Sequence, residues 1–274
     1  MKKKKILVFI PAYKCAPQIG RVLKQFDRAM QELVDTILIV DNRSPDMTQA
    51  AAIEAAKGME CQVLVWENAG NYGLGGSHKV AFQYADERDF EYVVVLHGDD
   101  QGNISDALSV LKSTSTDPDW DCMLGARFHP NSKISGYSKF RTFGNIVYDW
   151  IFSAATGRRI YDLGSGLNVY KLKSLDTDSL KFLPDDLTFN YGMLLSSLSK
   201  RQVVKFFPIS WREDDQVSNV KLFSQAFKVL KILWIYLNSR RTFPAQDLRS
   251  TSVSDYTGRI IFDNSREPVK PLLK

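Results

Sequence analysis

The stretch Val93-Val-Val-Leu-His-Gly-Asp-Asp-Gln-Gly102 leads from an apolar strand directly into a polar turn with two adjacent carboxylates. A continuous β-branched run of this kind is typical of a strand buried on both faces of a parallel sheet. Carboxylate oxygens at a strand end suit a hard divalent cation that bridges a diphosphate. Asp99 is the predicted ligand, and Asp100 is predicted to cap or support it. The alternative is a polar loop whose carboxylates cap a helix starting near Asn103.

Three further strands are predicted ahead of this stretch, and helical segments separate them. The strands are expected at residues 6–10, 36–40 and 62–66, with the fourth at 92–96. Apolar spacing predicts helices over 19–33, 47–57 and 77–88. Alternating strands and helices indicate an α/β fold, with a Rossmann-like, mostly parallel sheet flanked by helices on both faces.

Polar or glycine-rich residues follow each of these four strands, at 11–13, 41–46, 71–76 and 97–101. In open α/β sheets the ligand crevice lies at the carboxyl ends of the strands. The four clusters should therefore meet in one crevice. A dinucleotide fingerprint is not indicated, because the glycines follow the third strand with the wrong spacing. The segment after the first strand also lacks the glycine-rich, basic loop expected of a nucleotidyltransferase.

The second half is less regular and predicts strands at 121–126, 166–170 and 203–209, with helices at 137–154 and 189–198. Residues 221–237 form an amphipathic helix whose polar stripe includes Lys221, Lys228 and Lys231. A proline-rich, irregular tail follows, with one strand-like segment at 259–262. We expect a catalytic domain over 1–218, an amphipathic helix over 219–241 and a tail over 242–274.

The composition limits the classes of partner and compartment. The chain has 274 residues and a formal net charge of +5, without a basic stripe interleaved with stacking aromatics, so no nucleic acid partner is expected. Three scattered cysteines exclude a disulfide framework and a C-x-x-C metal site. No apolar run approaches the ~20 residues of a membrane span. We expect a cytoplasmic protein, with the 219–241 helix either lying peripherally on an anionic membrane surface or packed on the domain.

Several motifs occur in a fixed order along the chain. They are Pro11-Ala-Tyr13, Ile39-Val-Asp-Asn-Arg-Ser-Pro-Asp-Met-Thr48, Asn71-Tyr-Gly-Leu-Gly-Gly76, Leu96-His-Gly-Asp-Asp-Gln101, Asp162-Leu-Gly-Ser-Gly166 and Ile209-Ser-Trp-Arg212. The ordered set resembles the family 2 glycosyltransferases, with the closest similarity to the dolichol-phosphate-mannose synthase-like branch. The resemblance implies a GT-A fold, a nucleoside-diphosphate sugar donor, a divalent metal (manganese or magnesium) and inversion at the anomeric carbon.

The resemblance also assigns roles to individual residues by matching position. The base and ribose would contact Pro11, Tyr13 and Asp41, the diphosphate would lie near Lys79, and the D-x-D segment would comprise Gly98 and Asp99, followed by Gln101. The arginines at matching positions, Arg127, Arg141 and Arg212, would meet phosphates. The chain departs from the family pattern at His97, where the first Asp of D-x-D is expected. An imidazole there can still ligate a metal and favours manganese over magnesium.

The acceptor implied is a polyprenyl phosphate or a lipid-linked glycan precursor in surface polysaccharide synthesis. Asp186 is the candidate general base for a hydroxyl acceptor, although an Asp at this position also suits helix capping. A phosphate acceptor is already ionised and needs no base. The alternative function is a catalytically weak sugar-nucleotide-binding or scaffolding protein, which the substitution at His97 suggests. A homo-oligomer remains open.

Overall fold

The computed structural model describes residues 4–215, 222–249 and 255–265. Ten strands form an eight-stranded sheet and a two-stranded sheet. They are β1 (Ile6–Ala12), β2 (Thr36–Asp41), β3 (Gln62–Asn68), β4 (Tyr92–Leu96), β5 (Cys122–Ala126), β6 (Lys133–Ser135), β7 (Leu167–Lys171), β8 (Val204–Pro208), β9 (Ser210–Arg212) and β10 (Gly258–Asp263). The helices of the described residues are α1 (Ala16–Lys24), α2 (Arg28–Leu33), α3 (Thr48–Ala56), α4 (Gly73–Asp86), α5 (Leu108–Ser113), α6 (Lys139–Thr156), α7 (Thr177–Leu180), α8 (Phe189–Ser199) and α9 (Leu222–Asn238).

The large sheet has the strand order β10-β3-β2-β1-β4-β7-β5-β8. Six of its strands run in one direction, whereas β7 and β10 run antiparallel to their neighbours. The predicted α/β, mostly parallel fold is therefore confirmed. Strands β6 and β9 pair in parallel as the small sheet.

Side-chain alternation along β1 divides the core between the two faces of the sheet. Leu7 and Phe9 belong to one buried cluster, while Ile6, Val8 and Ile10 belong to the other. Successive side chains of a strand point to opposite faces, so a continuous apolar run fills both layers. All of β1 is consequently buried, and the next polar residues along the chain lie beyond its carboxyl end.

Two helix predictions differ from the structure. The single helix expected over 19–33 is two helices, because the Asp27 side chain accepts a hydrogen bond of 2.8 Å from the Met30 amide and caps α2. The helix expected from 77 begins at Gly73, whose φ of 71° lies in the left-handed region that glycine adopts readily. The glycine-rich motif therefore forms the first turn of α4.

The chain after β9 contributes to the same body. Helix α9 packs on the domain through Val229, Ile232, Leu233 and Tyr236, which are all buried. The strand predicted at 259–262 is confirmed as β10, which adds an edge to the large sheet beside β3. Among the described residues, no helix is both long and apolar enough to cross a membrane. Lys221 and residues 216–220 lie outside the described residues.

Candidate active site

A cleft of about 360 Å³ opens at the carboxyl ends of β1, β2 and β4. The end of β1 contributes Pro11 and Tyr13, and the end of β4 contributes His97, Gly98 and Asp99. These residues are 84 or more positions apart in sequence, and the parallel strands bring them together. Five of the predicted site residues therefore share one cavity.

His97 and Asp99 are enclosed on the sheet side and partly exposed to the cleft. Burial raises the pKa of Asp99. Burial lowers the pKa of His97, so its imidazole is neutral and able to ligate a metal. The Nε2 atom of His97 is buried and has no hydrogen-bond partner within the described residues. Gly166 makes room for this ring, since a Cβ there would stand 2.8 Å from it.

Asp100 differs from the adjacent Asp99 in its burial and in its hydrogen bonds. Its carboxylate is buried and accepts hydrogen bonds from Arg21 Nε at 2.7 Å and Gln25 Nε2 at 2.8 Å, with Arg212 Nη2 as a third donor. The structure thus uses Asp100 to join the β4 turn to α1 and β9. The helical turn that follows is capped by the Asn103 side chain, so neither carboxylate caps it.

Asp41 and Lys79 do not line the cleft. Asp41 is buried at the end of β2 and accepts hydrogen bonds from the Ser44 amide at 3.1 Å and Gln49 Nε2 at 2.7 Å. Its neighbour Asn42 takes the place in the cleft wall. Lys79 is buried, and all three of its N–H groups are used by protein acceptors. That arrangement leaves Lys79 without a donor for the diphosphate.

The three predicted arginines lie outside the cleft wall and are held by carboxylates. The Arg127 side chain is only 11% exposed and forms a bidentate pair with Asp162 at 2.7 and 2.8 Å. Burial alone would lower the pKa of Arg127, but Asp162 raises it, so the guanidinium stays charged. Arg141 binds Glu213 at 2.7 Å, and Arg212 binds Asp100.

Gln101 and Asp186 also have internal partners. The Gln101 amide donates to Asp99 Oδ1 at 3.2 Å, which fixes the turn after β4. Asp186 Oδ1 accepts from the Thr188 amide at 2.9 Å, and Asp186 Oδ2 accepts from Lys228 at 2.5 Å. Burial by itself would raise the pKa of Asp186, but the bonds from Lys228 and Thr188 lower it. A carboxylate whose pKa is lowered by an ammonium partner has little affinity for a proton, so it is a poor general base.

Sequence reasoning missed Asn42 and Leu187 as cleft residues. Asn42 donates to Asn71 Oδ1 at 2.8 Å and accepts from the Tyr72 amide at 2.8 Å, so it organises the loop before α4. An Asn directly after a buried strand was a usable signal. Leu187 reaches the cleft from the segment before α8, and nothing in its local sequence indicates this.

A mostly parallel α/β sheet has a cleft at its strand ends that is lined by an acid and a neutral imidazole. This arrangement defines a Rossmann-like class with a nucleotide-type ligand site. Within that class, the chain belongs to glycosyl transferase family 2, whose sequence profile matches residues 7–181. The structure of glucosyl-3-phosphoglycerate synthase from Mycobacterium tuberculosis superposes with a TM-score of 0.63 at 14% identity, covering 85% of this chain and 80% of that one. The complex of the same synthase with Mn²⁺, UDP-glucose and glycerol 3-phosphate superposes with a TM-score of 0.61 at 13% identity. It again covers 85% of this chain and 80% of that one. These neighbours confirm the GT-A fold.

Two relatives of known activity are similar in sequence. Polyprenol monophosphomannose synthase of Mycolicibacterium smegmatis is 25% identical over 170 residues, which is 62% of this chain and 63% of the relative. Undecaprenyl-phosphate mannosyltransferase of Micrococcus luteus is 24% identical over 184 residues, covering 65% of this chain and 72% of the relative. The match thus spans less than two thirds of the first relative. The predicted similarity to the polyprenol-phosphate-mannose synthase branch is confirmed.

Proposed function

We propose that the protein is an inverting glycosyltransferase that moves a sugar from a nucleoside-diphosphate donor to a polyprenyl phosphate or lipid-linked glycan. The observation that carries this proposal is the cleft in which His97, Gly98 and Asp99 meet Pro11 and Tyr13 in a family 2 chain. The two sequence relatives, whose names specify polyprenol and undecaprenyl-phosphate acceptors, support the acceptor class.

The residues present fit a divalent metal at the β4 turn. His97 Nε2 has no hydrogen-bond partner in the described part of the chain, and burial holds Asp99 at a raised pKa that a cation would lower. No group of three metal-binding side chains occurs in the described part of the chain. His97 and Asp99 would therefore hold the ion together with diphosphate and water oxygens. When bound, the metal supplies neutralisation of the departing diphosphate, as the Mn²⁺ and UDP-glucose of the solved neighbour suggest.

The exposure of the arginine side chains indicates which of them could contact a phosphate. Arg141 and Arg212 keep 27% and 45% of their side chains exposed, so each can exchange part of its carboxylate contact for a phosphate. The Arg127 guanidinium is bound by Asp162 and by the Tyr137 hydroxyl, and it would hold these two residues in position. The cleft wall formed by Pro11, Tyr13 and Asn42 would hold the base and ribose, with Asp41 supporting it from behind.

The acceptor chemistry favours an ionised group. Asp186, the one carboxylate predicted as a base, is paired with Lys228 and has a lowered pKa. A hydroxyl acceptor would need its proton removed, whereas a phosphate oxygen attacks without a base. The pairing of Asp186 therefore supports a lipid phosphate as the acceptor.

Peripheral membrane contact is the second part of the proposal, and it follows from exposed aromatics on two helices. Phe227 and Trp234 of α9 and Phe140, Phe143 and Trp150 of α6 are between 66% and 76% exposed. The helices meet at their carboxyl ends, where Arg240 donates to the Ala155 carbonyl at 2.6 Å. Exposed cations flank them, namely Lys228, Lys231, Arg158, Arg159 and Arg241. Aromatic rings bordered by lysine and arginine suit an anionic headgroup surface.

Flotation with anionic vesicles tests the membrane part. Trp234→Ser combined with Phe227→Ser should release the protein from the vesicles. Val203→Ser, at an exposed apolar residue just before β8, should not. A wild-type protein that binds no vesicle composition would contradict membrane contact.

Transfer of labelled sugar from a panel of nucleoside-diphosphate sugars to polyprenyl phosphate, with Mn²⁺ or Mg²⁺, tests the function. We expect product with one donor and none from Asp99→Asn, while the exposed Asp178→Asn serves as the matched control. Nucleotide binding without any transfer would favour the scaffolding alternative.

A further inference from the structure

A polar cluster lies beside the cleft and contains the buried Lys79 and Asp185 and the half-buried Tyr256. The Lys79 ammonium donates to the Leu183 carbonyl at 2.7 Å, to Asp185 Oδ1 at 2.6 Å and to the Tyr256 hydroxyl at 2.8 Å. The Tyr256 hydroxyl donates to the same Asp185 oxygen at 2.6 Å. The cluster therefore joins α4, the segment 183–187 and the chain just before β10.

The sheet fixes Tyr256 in this position. Strand β10 pairs with β3, and the Thr257 carbonyl accepts from the Ala69 amide at 2.9 Å. The Tyr256 ring packs edge-on against Tyr72 at a centroid distance of 5.5 Å. The polar cluster is consequently anchored to the edge of the large sheet.

The segment 183–187 packs against the first turn of α4 without a gap. The Gly75 amide donates to the Asp185 carbonyl at 2.7 Å. A Cβ at Gly75 would stand 2.2 Å from the Pro184 carbonyl oxygen. Leu187, at the end of the segment, lines the cleft together with Leu74 of α4. A shift of this segment would therefore change the shape of the cleft.

We propose that Tyr256 and Lys79 are positioning residues for the donor, and that they act by holding the segment 183–187 against the start of α4. The inference rests on the proposed function, because the donor is the ligand assigned to the cleft. The buried ion pair of Lys79 and Asp185, in which every Lys79 N–H group has an acceptor, resists displacement. Breaking the pair would leave a buried charge without a partner. Catalytic sites are sensitive to displacements of about 1 Å. Strand β10, which anchors Tyr256, would therefore contribute to the position of the donor.

The first test is hydrogen exchange on the protein without ligand, comparing wild type with Tyr256→Phe. Tyr84→Phe, at the other end of α4 and outside the cluster, is the matched control. Tyr256→Phe should speed exchange at the Gly75 amide and along residues 183–187 by roughly ten- to hundredfold, the scale of one lost hydrogen bond to a charged group. Amides of β1 should stay protected. Unchanged exchange at Gly75, or faster exchange throughout the sheet, would overturn the proposal.

The second test is steady-state kinetics with varied donor. Tyr256→Phe should raise the donor KM by roughly three- to tenfold while kcat stays within about twofold, and Asp185→Asn should add little more in the double variant. A purely structural role would lower kcat by loss of active protein and leave KM unchanged, which would refute positioning. If wild type uses no donor at all, the proposed function fails, and the exchange experiment still decides the role of the cluster.

Discussion

Substitution of the adjacent Asp99 and Asp100 should separate function from stability. Asp99→Asn should abolish sugar transfer and leave the free energy of unfolding unchanged or higher. Burial raises the pKa of Asp99, which means that its charge destabilises the folded state. A neutral amide removes this destabilisation. Asp100→Ala should retain measurable transfer and lose stability.

The size of the Asp100 effect follows from its contacts. The substitution removes the acceptor of Arg21, Gln25 and Arg212, and the two arginine side chains are 44% and 45% exposed, so water replaces part of what they lose. Asp100 also has a φ of 61°, a conformation that costs alanine about 1 kcal/mol. Together these terms give a loss of about 2–4 kcal/mol.

Urea denaturation at pH 7, combined with the transfer assay on the same preparations, measures both quantities. Asp178→Asn controls for removal of an exposed carboxylate. Equal destabilisation by the two substitutions, or complete loss of transfer in Asp100→Ala with its stability intact, would refute the division of roles.

Four further outcomes are expected from urea denaturation. Gly73→Ala should lower the free energy of unfolding by about 1–3 kcal/mol, because its φ is 71° and a Cβ would stand 2.3 Å from a backbone carbonyl oxygen. Gly144→Ala, in open space on α6, should instead raise it by about 0.5–1 kcal/mol. Burial raises the pKa of Asp149 to about 8. Since that value lies above the unfolded one, stability should fall as pH rises from 6 to 8 by up to about 1.4 kcal/mol per unit, and Asp149→Asn should lack this decline. Arg127→Ala should cost about 3–5 kcal/mol, because it leaves Asp162 buried without its partner, and a loss under 1 kcal/mol would contradict that pairing.

The sheet was predictable because its strands are continuous apolar runs bounded by polar turns. Strand β4 was predicted with its observed bounds, since a run buried on both faces gives an unambiguous signal. The break between α1 and α2 was not predicted, because apolar spacing continues through the buried Phe26 across the cap at Asp27. A local capping bond outweighed the periodicity there.

The site residues that lie at strand ends could be predicted from the sequence. The ion-pair and hydrogen-bond partners of the site residues could not. The meeting of Tyr13 and Asp99 follows from parallel strands alone. The pairing of Arg127 with Asp162 and of Lys79 with Asp185 joins residues 35 and 106 positions apart, and no local pattern reports such contacts. The predicted phosphate role of Arg127 therefore stays a prediction, and the three bonds of Lys79 leave it no N–H group for one.

The most direct test of the central claim is a calorimetric titration of nucleoside diphosphates into the wild-type protein and Asp99→Asn, with and without Mn²⁺. The account predicts 1:1 binding of one nucleoside diphosphate that needs Mn²⁺, weakened at least about tenfold in Asp99→Asn, which corresponds to ~1.4 kcal/mol. Asp178→Asn should bind as wild type does. Absence of binding with every base, or equal binding by wild type and Asp99→Asn in Mn²⁺, would contradict a metal-assisted donor site at the end of β4.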